Sequence, residues 1–269
     1  MGHDQQDGSL GENLTFFSVD HLAIEFGGIR ALDDVGFVVK EGTVCSIIGP
    51  NGAGKTTLFN VISRLYEASR GRIIFQDQDI TRAPPHRIAR LGIARTFQNI
   101  ELFPAATVVQ NLLIGRYPRR RSRLLSEMLF LPSVRRMEKT HLEKVDMVLD
   151  LLQLQPYRNQ WVAHLPYGVR KVVELGRALC AEPKLLLLDE PSSGLNAAET
   201  NKMGGWIHQL RETLGVTVLI VEHDMDLVAQ VSDRVLALNN GRLLAEGSLA
   251  EVWRHPEVTA AYLGRDGWT

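Results

Sequence analysis

The stretch GPNGAGKT, Gly49 to Thr56, constrains this chain more than any other. It follows the β-branched run TVCSIIG, Thr43 to Gly49, and precedes KTTLFNVISRLY, whose Leu58, Ile62 and Leu65 fall on one helical stripe. Strand, glycine-rich loop and helix in that order supply the context that the pattern G-x-x-x-x-G-K-[ST] requires. Gly49, Gly52 and Gly54 let backbone N–H groups close around phosphate oxygens, and the helix beginning near Lys55 points its positive dipole end at them. Lys55 then reaches the β- and γ-phosphates, and Thr56 ligates Mg²⁺.

Two further runs fit the same core. KLLLLDE, Lys184 to Glu190, and VTVLIVEHD, Val216 to Asp224, are unbroken apolar stretches of the kind found in parallel strands covered on both faces. The first ends in Asp189 and Glu190, at the strand end where open α/β sheets hold ligands. Asp189 there suits Mg²⁺ held through water, and Glu190 suits the base that polarises an attacking water. His223 ends the second run, in reach of a γ-phosphate or of that water. Elsewhere, Leu14 to Val39 alternates like an antiparallel edge sheet broken at Gly27 and Gly28, and RIIFQDQDI returns to strand. The stretch from Ile100 to Leu165 reads as mostly helical, with Val145, Val148, Leu149 and Leu152 in one periodic segment, and forms a candidate inserted lobe. Asn240-Gly241 between RVLALN and RLLAEG marks a two-residue hairpin.

Composition bounds the remaining choices. A chain of 269 residues, 45% hydrophobic and 23% charged, buries the core of one α/β domain with a smaller inserted lobe. Its net charge of -1 argues against indiscriminate nucleic-acid binding, which leaves a strongly basic footprint. Cys45 and Cys180 stand in apolar contexts, as buried thiols in a reducing compartment do. Residues 1–13 read as a flexible polar tail. Apolar runs all fall short of the roughly 18 residues that span a bilayer, so a role at a membrane would be that of a soluble partner.

GPNGAGKT, Gln98 in RTFQN, LPYGVRK (Leu165 to Lys171), LLLLDEP, SSGLN (Ser192 to Asn196) and His223 occur in an order and spacing that resembles the nucleotide-binding subunits of ABC transporters. The resemblance runs from about Phe16 to Gly264. It implies an α/β fold with a P-loop NTPase core, an antiparallel β subdomain and an inserted α-helical subdomain, in a single domain over 14–269 with the helical part at about 100–180. It implies ATP as ligand and substrate and Mg²⁺ as cofactor. Gly49, Pro50, Asn51, Gly52, Ala53, Gly54, Lys55, Thr56 and Thr57 would hold the phosphates; Thr56, Gln98 and Asp189 would serve the metal; Glu190, His223 and Gln98 would serve hydrolysis. Phe26 in EFGG takes the place of the aromatic that stacks on adenine, or is a half-buried strand residue.

The family pattern Leu-Ser-Gly-Gly-Gln contacts ATP bound to a second ATPase subunit, so two chains facing head to tail would enclose two nucleotides. Here that pattern reads Leu165, Pro166, Tyr167, Gly168, Val169. Pro166 offers neither hydroxyl nor N–H, which removes a charge-assisted hydrogen bond worth about 1.5–3 kcal/mol. Either the Gly168 amide suffices and both sites turn over, or a heterodimer holds one strong and one weaker site. Asn196 stands where the family usually has aspartate.

Finer features, namely RTFQNIELFPAATVVQNLLIG, the insert LLSEMLFLPSVRRME, LPYG and the closing PEVTAAYLG, look like the ATP-binding subunit of branched-chain amino acid importers, whose relatives carry urea or aromatic solutes. That likeness implies a second ABC ATPase, two integral membrane permease subunits, an indirect solute-binding protein, no nucleic acid, and a peripheral place on the cytoplasmic face of the inner or plasma membrane. The alternatives are an exporter ATPase such as that of a lipopolysaccharide export system, a non-transport ABC ATPase acting on ribosomes or DNA, and a simple phosphate-loop kinase. The basic run Arg116 to Arg123 is a solvated face or meets anionic lipid or membrane-subunit loops. Glu101, Leu102 and Phe103 dock the membrane subunits or, for Phe103, pack into their own lobe.

Overall fold

The computed structural model describes residues 15–119 and 132–263. The 1–13 tail, Arg120, Arg121 and Arg123 of the basic run, the first part of the insert and Gly264 lie outside them. Six strands form one sheet in the order β10-β9-β3-β8-β7-β6, from β3 (Val44–Ile48), β6 (Ile93–Arg95), β7 (Leu185–Asp189), β8 (Thr217–Val221), β9 (Arg234–Asn239) and β10 (Arg242–Gly247). All neighbours from β9 to β6 run parallel, and β10 returns antiparallel as a hairpin. A second, antiparallel sheet has the order β2-β1-β4-β5, from β1 (Phe17–Phe26), β2 (Ile29–Val39), β4 (Arg70–Phe75) and β5 (Gln78–Asp79).

Helices cover both faces of the parallel sheet and explain its unbroken apolar runs. Leu185 and Leu187 of β7, Leu219 and Val221 of β8, and Cys45 and Ile47 of β3 enter one core with the antiparallel sheet, α1 (Lys55–Ile62) and α2 (Pro85–Leu91). The alternate residues Leu186, Leu188, Val218, Ile220 and Val44 enter a second core. There they meet α3 (Val108–Gly115), α4 (Pro132–Leu151), α5 (Tyr167–Leu179) and α6 (Ala197–Leu214). A period of two thus splits each strand between two cores, and every such side chain contributes about 1.5–3 kcal/mol by burial. A third, smaller cluster packs α7 (Met225–Val231), α8 (Leu249–Arg254) and α9 (Pro256–Leu263) against β9.

The helical segments α3 to α5 lie between β6 and β7, where the sequence places the inserted lobe. Val145, Val148, Leu149 and Leu152 are buried there together. The Asn240-Gly241 hairpin forms with both residues at positive φ, 47° and 74°, as a tight primed turn demands. The stripe expected through Leu65 stops short: α1 ends at Ile62, and Leu65 is 52% exposed. Ser63 turns its hydroxyl back onto the Phe59 carbonyl and Arg64 adopts a left-handed φ of 61°, so the helical period is lost before Leu65.

Cys45 and Cys180 are both free and buried, and burial pushes each thiol up to about 12. A disulfide-exchange reagent at pH 8 should therefore find neither of the two thiols in the folded chain and both after denaturation. Rapid native labelling of one would contradict this packing.

Candidate functional site

The phosphate loop hangs between β3 and α1. Gly49 leaves β3 at φ 153°, and a Cβ there would run into the Leu238 carbonyl of β9, so the loop passes too close to the sheet for any other residue. Gly54 caps α1 at φ 103°, with the Ala31 carbonyl 2.7 Å from where a Cβ would stand. The β9–β10 hairpin tip supports the loop from below: the Gly241 amide donates to Ala53, and its carbonyl accepts from Asp33. Ala53 also donates to Pro50, which closes the turn around Asn51 and Gly52. Lys55 is buried and lies across the loop, donating to Gly49 O at 2.6 Å and Pro50 O at 3.0 Å. Burial lowers its pKa, and the charges of Glu190 and Asp189 oppose that, which sets all three groups in one electrostatic neighbourhood. Thr56 is exposed and Thr57 half-buried in the first turn of α1.

The carboxylates stand at the end of β7. Asp189 is 1% exposed, and one oxygen, Oδ2, accepts from Arg95 Nη2 at 2.7 Å while Oδ1 is buried with no hydrogen-bond partner among the described residues. Burial raises the Asp189 pKa, and the Arg95 guanidinium opposes it. An orphaned, buried carboxylate oxygen beside a phosphate loop fits a hydrated divalent cation, with Thr56 and Gln98 as the further oxygen donors. Glu190 follows with φ 47°, a left-handed backbone unusual for a side chain this size, fixed by its amide donating to Val221 O at 2.9 Å. Its Oε2 accepts from Gln98 Nε2 at 3.0 Å and lies 4.0 Å from His223 Nδ1. Gln98 and His223, far from Glu190 along the chain, thus both approach one of its oxygens, Gln98 in a hydrogen bond and His223 at 4.0 Å.

Five residues that no single motif announced hold this cluster in place. Glu222 is fully buried and accepts from the amides of Ser192, His223 and Asp224 at 2.8, 3.0 and 3.2 Å. It ties the loop after β7 to the loop after β8. Lys171 of α5 donates to Gln98 O at 3.3 Å and Glu190 O at 3.4 Å. Glu174, one turn later, accepts from the amides of Phe97 and Glu101. Burial lowers the Lys171 pKa and raises that of Glu174, each opposing the other's shift. Arg177 donates to Glu101 O from the next turn. The fifth is Arg95. The spacing of Lys171, Glu174 and Arg177 on one helix face was the available signal, as was the carboxylate closing VTVLIVE.

Gly168 sits in the first turn of α5, which starts after Pro166 with no side-chain cap. It packs against the Glu199 carboxylate of α6, which a Cβ there would have to displace. Tyr167 leans on Gly194 and donates to Ser193 O at 3.3 Å, so LPYG and SSGLN form one surface. Asn196 caps α6 through a capping box with Glu199. Gly168 is not drawn into the Gln98–Glu190–His223 group of its own chain by any of these contacts. Phe26 ends β1, 45% exposed and edge-on to Tyr66 at 5.2 Å.

Comparison with known proteins shows the family. The family profile described as ABC transporter matches residues 32–193. The chain belongs to the ABC transporter family. It is similar to the high-affinity branched-chain amino acid transport ATP-binding protein LivG of Escherichia coli K12, 38% identical over 92% of this chain and 97% of that one. BraF of Pseudomonas aeruginosa, with the same description, is 39% identical over 91% and 96%. The solved ADP conformation of an ATP-binding cassette of an ABC transporter superposes with a TM-score of 0.81 at 33% identity, covering 93% of this chain and 99% of that one. The chain is accordingly an ATP-binding, ATP-hydrolysing ABC subunit with the P-loop fold. Among the described residues no helix is long and apolar enough to cross a membrane.

Glu222→Ala removes three amide partners at once and should lower unfolding stability by about 3 kcal/mol in urea titration, with hydrolysis reduced because both catalytic loops lose their tether. An unchanged midpoint would show that those amides find other partners.

Proposed function

We propose that this chain powers an importer for branched-chain amino acids or a related small solute such as urea or an aromatic compound. The names of its relatives support an importer over a lipopolysaccharide-type exporter or a non-transport ABC ATPase. The observation that carries the chemistry is the meeting of Gln98, Glu190 and His223 beside Asp189. Gly49 to Thr57, including Pro50, Asn51, Gly52, Ala53, Gly54 and Thr56, cradle the phosphates, and Lys55 exchanges its carbonyl partners for the β- and γ-phosphate oxygens. Thr56, Asp189 and Gln98 hold Mg²⁺, which neutralises phosphate charge when bound. Glu190 Oε2 accepts a proton from the attacking water, and Gln98 and His223, both within reach of that oxygen, orient the water and meet the γ-phosphate. Phe26 and Tyr66 offer an aromatic edge for adenine.

The assembly reading follows from the start of α5. Gly168 lies in the first turn of α5 beside Glu199, and its amide serves the ATP held by a second ABC ATPase. The missing hydroxyl at Pro166 makes a heterodimer with unequal sites the natural arrangement. Two permease subunits and, through them, a solute-binding protein complete the complex on the cytoplasmic face of the inner or plasma membrane. Docking falls to Glu101 and Phe103. Phe103 is 55% exposed, whereas Leu102 beside it is buried as an anchor. We assign 14–269 to one ATPase domain with its helical subdomain at about 100–180.

Glu190→Gln should cut hydrolysis at least ~10²-fold while ATP still binds. In the intact complex this loss should exceed that of the equivalent substitution in the partner ATPase. Equal losses from the two would contradict unequal sites; full activity in Glu190→Gln would contradict the base.

A further inference from the structure

We propose that Arg95 is a positioning residue for hydrolysis: a buried strut that fixes one oxygen of Asp189 against the phosphate-loop helix and so decides which oxygen is presented to Mg²⁺ and nucleotide. The proposal rests on the reading of Asp189 given above. Arg95 is the last residue of β6, paired in register with Leu187 of β7, two residues before Asp189. Its side chain is 6% exposed. One guanidinium nitrogen, Nη1, donates to Asn60 Oδ1 at 2.7 Å and Ser63 Oγ at 2.8 Å, both at the far end of α1. A second, Nη2, donates to Asp189 Oδ2 at 2.7 Å, while the third, Nε, is buried with no hydrogen-bond partner among the described residues. The Phe59 and Phe97 rings lie against the guanidinium carbon, with centroids 5.5 and 5.1 Å away. Ser63 sends its own proton to the Phe59 carbonyl at 2.6 Å, which leaves its oxygen to accept from Arg95.

Three elements therefore meet at one planar cation: β6 carries it, α1 grips one end and the end of β7 the other. α1 is the helix that begins in the phosphate loop, so the distance from the loop to Asp189 is set through Arg95. A lysine has neither the forked donors nor the flat faces for this arrangement. Lys55 and Lys171 stand in the same electrostatic neighbourhood, but their described hydrogen bonds go to backbone carbonyls. Among the described residues Arg95 is the ion-pair partner of Asp189. Burying such a pair contributes little net stability, which turns attention to what it orients. With Oδ2 taken, the buried and otherwise unpartnered Oδ1 is the atom left for a ligand.

The test uses the assembled transporter with this chain as wild type, Arg95→Lys, Arg95→Met and Asn60→Ala. ADP affinity is measured by calorimetry in EDTA and again in saturating Mg²⁺, and Mg²⁺ is titrated against ATP hydrolysis. Arg95→Lys and Arg95→Met should keep their Mg²⁺-free ADP affinity, lose the tightening that Mg²⁺ gives, and raise the half-saturating Mg²⁺ concentration about tenfold. Asn60→Ala leaves the Arg95–Asp189 pair intact but removes one of its two holds on α1, the other being Ser63, and should shift Mg²⁺ half-saturation in the same direction by about threefold. If the Arg95 variants fail to assemble, Asn60→Ala alone decides. Unchanged Mg²⁺ dependence, or an equal loss of ADP affinity with and without Mg²⁺, would overturn the proposal by reducing Arg95 to a packing residue. A wild-type complex whose ADP affinity ignores Mg²⁺ would remove the reading of Asp189 itself, and the strut with it.

Discussion

The parallel register of β3, β8, β7 and β6 is the constraint on which the rest depends. Because these four strands run the same way, their carboxyl ends share one edge, and the chain must turn there four times. Those turns carry Gly49, His223, Asp189 with Glu190, and Arg95 with Gln98. Reversing any one strand would send its loop to the opposite edge. The antiparallel sheet and the hairpin support that edge from outside: Gly241 holds Ala53, and the β9 backbone presses on Gly49.

Charge is distributed over this edge with unusual density for a protein interior. Asp189, Glu174 and Glu222 are buried beside Lys55 and Lys171, with the Arg95 side chain among them. Buried charges persist only when paired and hydrogen-bonded, and here each pairing also joins two chain segments. Glu222 joins the loops after β7 and β8. Lys171 joins α5 to the backbone of Gln98 and Glu190. The same helix begins at Pro166 and Gly168, the surface assigned to the second subunit's nucleotide.

Local signals in the sequence were strong where a single stretch carries its own reason. GPNGAGKT needs Gly49 and Gly54 for close backbone approach, the apolar strands need no partner to be recognised, and Asn240-Gly241 specifies its turn alone. The extent of α1 was misjudged because a three-residue stripe does not register that Ser63 and Arg64 end the helix. What could not be read was pairing across elements. Nothing in RTFQN states that Arg95 will lie between Phe59 and Phe97 and reach Asp189, since that depends on β6 lying next to β7. Glu222 was visible only as a carboxylate ending a strand, and Lys171 only as a basic residue in a helix start. The Gln98–Glu190–His223 meeting was implied by resemblance, and its geometry required the sheet order.

The central claim is that the carboxyl-end edge of this sheet closes around one γ-phosphate with help from a second subunit. Cryo-electron microscopy of the complete transporter, carrying Glu190→Gln and trapped with ATP and Mg²⁺, tests it most directly. The account predicts γ-phosphate density in contact with Lys55, Gln98 and His223 of this chain, with the partner ATPase's helix start on its far side. Nucleotide bound away from those three residues, or bound with the partner's helix start turned elsewhere, would contradict it.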